Sequence, residues 1–85
     1  MNMNDVYQWI MGQIEMLLDR RNYQMELIKG WNEKYTKLCE ECSEDEDAYR
    51  TIEDNIEAIY DGIADIDYDI QMLDYIRTKL DEVTE

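Results

Sequence analysis

From Tyr49 to Leu80, apolar side chains return at alternating intervals of three and four. The series is Tyr49, Ile52, Ile56, Ile59, Ile63, Ile66, Ile70, Leu73 and, after Arg77, Leu80. This is a heptad with Tyr49, Ile56, Ile63 and Ile70 at a, and with Ile52, Ile59, Ile66, Leu73 and Leu80 at d. Such a repeat turns one narrow stripe of a helix toward a partner helix. The upstream half supplies a partner in the same frame: Met3, Tyr7, Ile10, Ile14, Leu17, Arg21, Gln24, Ile28, Trp31, Tyr35, Leu38 and Cys42. Arg21 and Gln24 are polar intrusions that stay in register. Gly12 and Gly30 fall at outward f and c positions, where each weakens a helix by about 1 kcal/mol without ending it. A break at Arg20-Arg21-Asn22 would give three helices. Two are expected, because a turn would reset the phase.

Composition agrees with an all-α chain: no Pro, three Gly, and many Glu, Asp, Ile, Met and Leu. At 45% apolar content a core can form despite the charge. Eighty-five residues make one domain, residues 1–85, with a core small enough that self-association often supports it. Asn2 or Asn4 can cap the first helix, with Asp5 favourable in its first turn. Ser43-Glu44-Asp45-Glu46 has the form of a capping box, Ser43 accepting from the Glu46 amide. Helix 1 is therefore expected over about 3–42 and helix 2 over about 44–83, the latter about 60 Å long. The short connection folds them into an antiparallel helical hairpin. Folding at Ser43 pairs Leu38 with Ile52, Trp31 with Ile59 and Leu17 with Leu73. It also puts Arg21 near Asp69 and Gln24 near Asp67, a polar layer that fixes register.

Helix 1 is apolar over more than its seam. Met11, Leu18, Met25 and Cys39 lie at e, Val6 and Leu27 at g, and Trp9, Met16 and Tyr23 at c. One neighbouring helix cannot cover so broad a face. The expectation is a homodimer forming a four-helix bundle, with Trp9, Met11, Leu18, Tyr23 and Met25 at its interface.

The charge is lopsided. The net value is −14. Residues 1–43 hold seven acids and five bases, whereas residues 44–85 hold fifteen acids and three bases. Thr51 to Ile76 contains eight carboxylates and no Lys or Arg. Such a field repels nucleic acid and anionic membrane and attracts basic surfaces. Asp54, Glu57, Asp61 and Asp65 recur about once per ~5.4 Å turn, and Tyr68 and Tyr75 continue the outward f row. Duplex DNA presents one charge per ~1.7 Å of axis. Two such helices side by side approach that density, and carboxylates interleaved with aromatics suit a groove built for phosphates and stacked bases. The plain alternative is a solvated face that keeps the protein soluble. An ordinary solubilising face, however, mixes signs and gains i,i+4 pairs.

No residue set points to catalysis. There is no His, so a Ser or Cys nucleophile lacks its usual base. Cys39-Glu40-Glu41-Cys42 has the CxxC spacing, but zinc needs four ligands and there is no second pair. Asp65-Ile66-Asp67-Tyr68-Asp69 opens like a calcium loop, yet Ile70 stands where Gly is needed and Ile76 where Glu is needed. Glu40-Glu41-Cys42-Ser43-Glu44 has the EExxE form of all-α nucleotide pyrophosphohydrolases. The matching ExxD is missing, since Tyr60 follows Glu57 by three. Neither cofactor nor metal is expected, and the chain reads as a non-enzyme. No signal peptide or membrane span is legible, and two cysteines without an export signal suggest free thiols in the cytoplasm.

In general character, a small acidic chain without a catalytic set resembles the phage-encoded inhibitors that mimic DNA, among them anti-CRISPR and anti-restriction proteins. The likeness is of type and covers no motif. It implies a basic protein surface as partner, that of a nucleic-acid-binding enzyme in a bacterial host, with no direct contact to nucleic acid. The alternative is a structural or adaptor coiled coil that binds a partner helix through helix 1. A small metal-dependent hydrolase is the remote third reading.

Overall fold

The computed structural model describes residues 2–84 and consists of two long helices. Helix α1 spans Met3–Glu40 and α2 spans Glu46–Thr84. They pack as an antiparallel hairpin measuring 62 × 18 × 14 Å. The all-α hairpin expected from the heptads is the fold.

Each end of α1 has an identifiable cause. At its start Asn2 is extended (φ −90°, ψ 171°), and its Oδ1 accepts from the Asp5 amide at 2.9 Å. The helix then runs unbroken through Arg20-Arg21-Asn22, so two helices form rather than three. It ends at Glu40, two residues before the expected 42. The Ser43 amide donates to the Leu38 carbonyl at 3.0 Å and the Cys42 amide to the Cys39 carbonyl at 3.1 Å. That pair of bonds is a Schellman motif, with Cys42 as its left-handed residue at φ 54°. Glycine usually holds this position because a Cβ is strained there. Cys42 is thus a turn residue and no part of the seam. Cys42→Gly should stabilise the protein by about 1 kcal/mol in urea unfolding.

Helix α2 is capped by a different residue from the one expected. Ser43 is committed to closing α1, so the chain needs two more residues to reverse. Asp45 takes the cap: its Oδ1 accepts from the Ala48 amide at 3.1 Å, and its carbonyl accepts from the Tyr49 amide at 3.3 Å. The Ser43 hydroxyl accepts only from the Asp45 amide at 3.3 Å. The Ser43–Glu46 box therefore does not form, and α2 begins at Glu46 rather than near Glu44. Asp45→Ala should cost about 1 kcal/mol and Ser43→Ala clearly less, read as thermal unfolding midpoints.

The seam phase holds throughout. Among the described residues the buried apolar side chains are Ile10, Ile28, Ile52 and Ile63, all at a or d. Most of the other seam residues are only half-buried, since two helices alone leave both edges of each layer open to water. Near the tip, Tyr35 and Tyr49 meet edge to face at 5.2 Å between centroids, and the Tyr49 hydroxyl donates to the Ser43 carbonyl at 3.1 Å. Desolvation there, helped by the Cys39 thiol, pushes the Tyr49 phenol above its ordinary value.

Arg21 bonds Asp67 rather than Asp69, Nε to Oδ1 at 2.7 Å. The reason lies in the helical wheel: position a neighbours e, where Asp67 sits, and not g, where Asp69 sits. Gln24, expected near Asp67, is half-buried while Asp67 bonds Arg21. Both side chains of the ion pair are about two-fifths exposed, so the pair adds at most about 1 kcal/mol and serves chiefly to fix register. At the open end, Arg77 donates to Asp74 from both Nε and Nη2, at 3.0 and 2.6 Å, and also reaches Tyr7 of α1.

Candidate functional site

The seam fixes where every other residue points. Position f lies opposite it, with b and c on either shoulder. Asp54 and Asp61 are at f, Glu57 at b and Asp65 at c, so all four line the back of α2. All four are exposed. None makes an ion pair or hydrogen bond with another described residue, in contrast to Asp67 and Asp74, which bond Arg21 and Arg77. The row is carried on a helix without Pro or a break, so its spacing is rigid: successive members stand about 4.5–6 Å apart along the axis.

Tyr68 and Tyr75 continue the same stripe and are 62% and 59% exposed. They are not equivalent. The Lys79 ammonium sits over the Tyr75 ring at 5.4 Å, so that ring already has a cation partner at the end of the anionic stretch. From Asp54 to Tyr75 the stripe is about 31 Å long.

The apolar residues of α1 do not form one surface. Trp9, Met11, Leu18, Tyr23 and Met25 are all exposed. Yet e and c positions lie about 200° apart measured across the seam, which separates them. Met11, Leu18 and Met25 form one flank. Trp9 and Tyr23, with Met16, form the other. The single interface expected of these five residues is therefore two separate strips.

Tyr60 belongs with the first strip and was missed in the sequence. It is 52% exposed and shares the wall of a shallow groove with Met25. The signal was available, since e positions of antiparallel helices flank the seam on the same side and Tyr60 is at e of α2. On the opposite side, near the tip, Leu38 and Ile52 line an open cleft of about 550 Å³, rimmed by Lys34, Lys37, Glu41 and Asp47. That placement agrees with the expected pairing of Leu38 with Ile52.

The CxxC, EExxE and calcium-loop-like segments lie at the tip and in the middle of α2. Cys39 is on the last turn of α1 and Cys42 beyond it, both free and exposed. The Glu40–Glu44 segment straddles the end of α1, so its acids share no helix face. Asp65, Asp67 and Asp69 lie in mid-helix, not in a loop. Among the described residues, no group of three or more His, Cys, Asp or Glu could hold a metal ion, and no helix is long and apolar enough to cross a membrane.

No family model matches the chain, and neither does a curated protein or a solved structure.

Proposed function

We propose that the protein acts by binding and not by catalysis. In this reading α2 occupies a groove that a basic host enzyme keeps for nucleic acid, and the protein is an inhibitor of the anti-CRISPR or anti-restriction type, phage-encoded and acting in the bacterial cytoplasm. One observation carries the reading: four carboxylates stand in a rigid row on the outward face of α2 and are not neutralised by the protein itself. A row whose members lie at i, i+3 and i+4 repels itself and lowers helix stability. Mixed charges would serve solubility without that cost. Tyr68 then offers an aromatic face where a base would stack.

A second reading rests on the other strip. Trp9 and Tyr23 are 59% and 63% exposed on the c flank of α1, which suits an adaptor that docks a partner helix. Salt separates the two. Capture of a nucleic-acid-binding enzyme from host lysate should weaken steeply between low and high salt, and added DNA or RNA should compete, if α2 fills a charged groove. Capture through the c flank should persist in salt.

A further inference from the structure

The e flank of α1 carries a pattern that neither reading uses. Five positions spaced by seven run along it: Asn4, Met11, Leu18, Met25 and Asn32. The order of side chains is the same in both directions. Two α1 helices laid antiparallel with Leu18 on a two-fold axis would therefore match like with like. Leu18 meets the partner's Leu18, Met11 meets the partner's Met25, and Asn4 meets the partner's Asn32. A two-fold contact has to be self-complementary, and this row is. The adjoining b row obeys the same symmetry: Gln8 falls against Lys29 and Glu15 against Asn22, so no like charges meet.

We propose that the e flank of α1, centred on Leu18, is the contact through which two copies of this chain associate as an antiparallel dimer. The inference rests on that flank and is independent of the groove reading. Met11, Leu18 and Met25 are 38–44% exposed, and Tyr60 beside Met25 extends the apolar strip onto α2. Charge selects the occupant. Helix α1 carries six acids and five bases, so two copies of it meet almost neutrally. Helix α2 carries twelve acids and three bases, so α2 against α2 is repelled. A closed square bundle would bring α2 beside its copy near Asp67 and Asp74, the e-position acids level with Leu18. The assembly therefore opens on that side, with α1 in the middle and the carboxylate rows facing outward. Trp9 and Tyr23, on the opposite flank, take no part. Three apolar side chains per copy of α1 make a contact smaller than the ~800 Å² per partner of a standard interface, so a weak, concentration-dependent dimer is expected.

The test uses the full chain with Cys39→Ser and Cys42→Gly, so that no native thiol interferes. Sedimentation across the micromolar range should show the mass rising from 10.3 kDa toward twice that value. A single added thiol, Leu18→Cys, should be linked to its own copy by a short bifunctional maleimide. Met11→Cys alone should not, because about 21 Å separates it from its copy. An equal mixture of Met11→Cys and Met25→Cys chains should link. Leu18→Glu should leave helicity unchanged and hold the mass at 10.3 kDa, while Trp9→Glu should leave the dimer intact. A monomer at every concentration overturns the proposal. So does self-linking of Met11→Cys as fast as that of Leu18→Cys, or loss of the dimer with Trp9→Glu.

Discussion

Ile63→Ala is expected to destabilise the hairpin by about 2–4 kcal/mol, the cost of a lost buried side chain and the space it leaves. Ile63 is 6% exposed and lies in the longest run of isoleucines in the seam. With only Ile10, Ile28, Ile52 and Ile63 buried among the described residues, each of them carries an unusual share of the core. A chain of this length has about 4–13 kcal/mol of stability in all, so this one substitution removes a large share of it. Asp61→Ala, two residues earlier but on the outward face, should change stability by no more than about 0.5 kcal/mol, or gain slightly from relieved repulsion. Urea unfolding followed by far-UV circular dichroism compares the two. Equal losses would mean that the seam lies elsewhere.

Neutralising the outward row, with Asp54→Asn, Glu57→Gln, Asp61→Asn and Asp65→Asn together, should remove binding to a basic groove and spare the fold. Each exposed pair between a carboxylate and a Lys or Arg contributes about 0.2–1 kcal/mol. The four together then supply about 0.8–4 kcal/mol, a loss of roughly four-fold to nine-hundred-fold in Kd, whereas Asp61→Asn alone should be hard to detect. The fold is not at risk. Five like-charge pairs vanish, 53 with 57, 54 with 57, 57 with 61, 61 with 65 and 65 with 69, each worth about 0.2–0.5 kcal/mol. The quadruple variant should therefore melt slightly higher than the parent. Tyr68→Ala should hurt binding more than any single acid, since desolvated aromatics are frequent hot spots. Tyr75→Ala should do less, because Lys79 already occupies that ring. If the quadruple variant retains its partner at low salt as the parent does, the acidic row is only a solvated surface and the groove reading is lost.

The two helices, their seam and the outward row were legible in the sequence because a heptad is a statement about direction. Once Ile52 and Ile63 face inward, Asp54 and Asp61 must face out. The helix ends were less legible because competing groups decide them. Ser43 has the right side chain for a cap, but its amide is needed to close α1, and that bond is set by Cys42 adopting a conformation that its residue type disfavours. The partner of Arg21 differs from the expected one by two residues for a similar reason. Heptad counting aligned levels along the axis but ignored that an a-position arginine leans toward the e side. The breadth of apolar surface on α1 was also evident. Its division into two strips was not, because a tally of apolar positions does not register that the seam lies between them.

The single short turn also sets the order in which the molecule can close. Layers beside the tip, such as Tyr35 with Tyr49, join residues fourteen apart in the chain, whereas Tyr7 and Arg77 at the open end are seventy apart. Loop-closure entropy makes the far layer costlier by about 1.4 kcal/mol if it must form first. Folding should therefore run as a zipper from the tip, with each closed layer shortening the loop left for the next. The same asymmetry governs opening. The start of α1 and the end of α2 lie in the layers that close last, so amides near Tyr7 and Arg77 should exchange with solvent before those around Ile28 and Ile63.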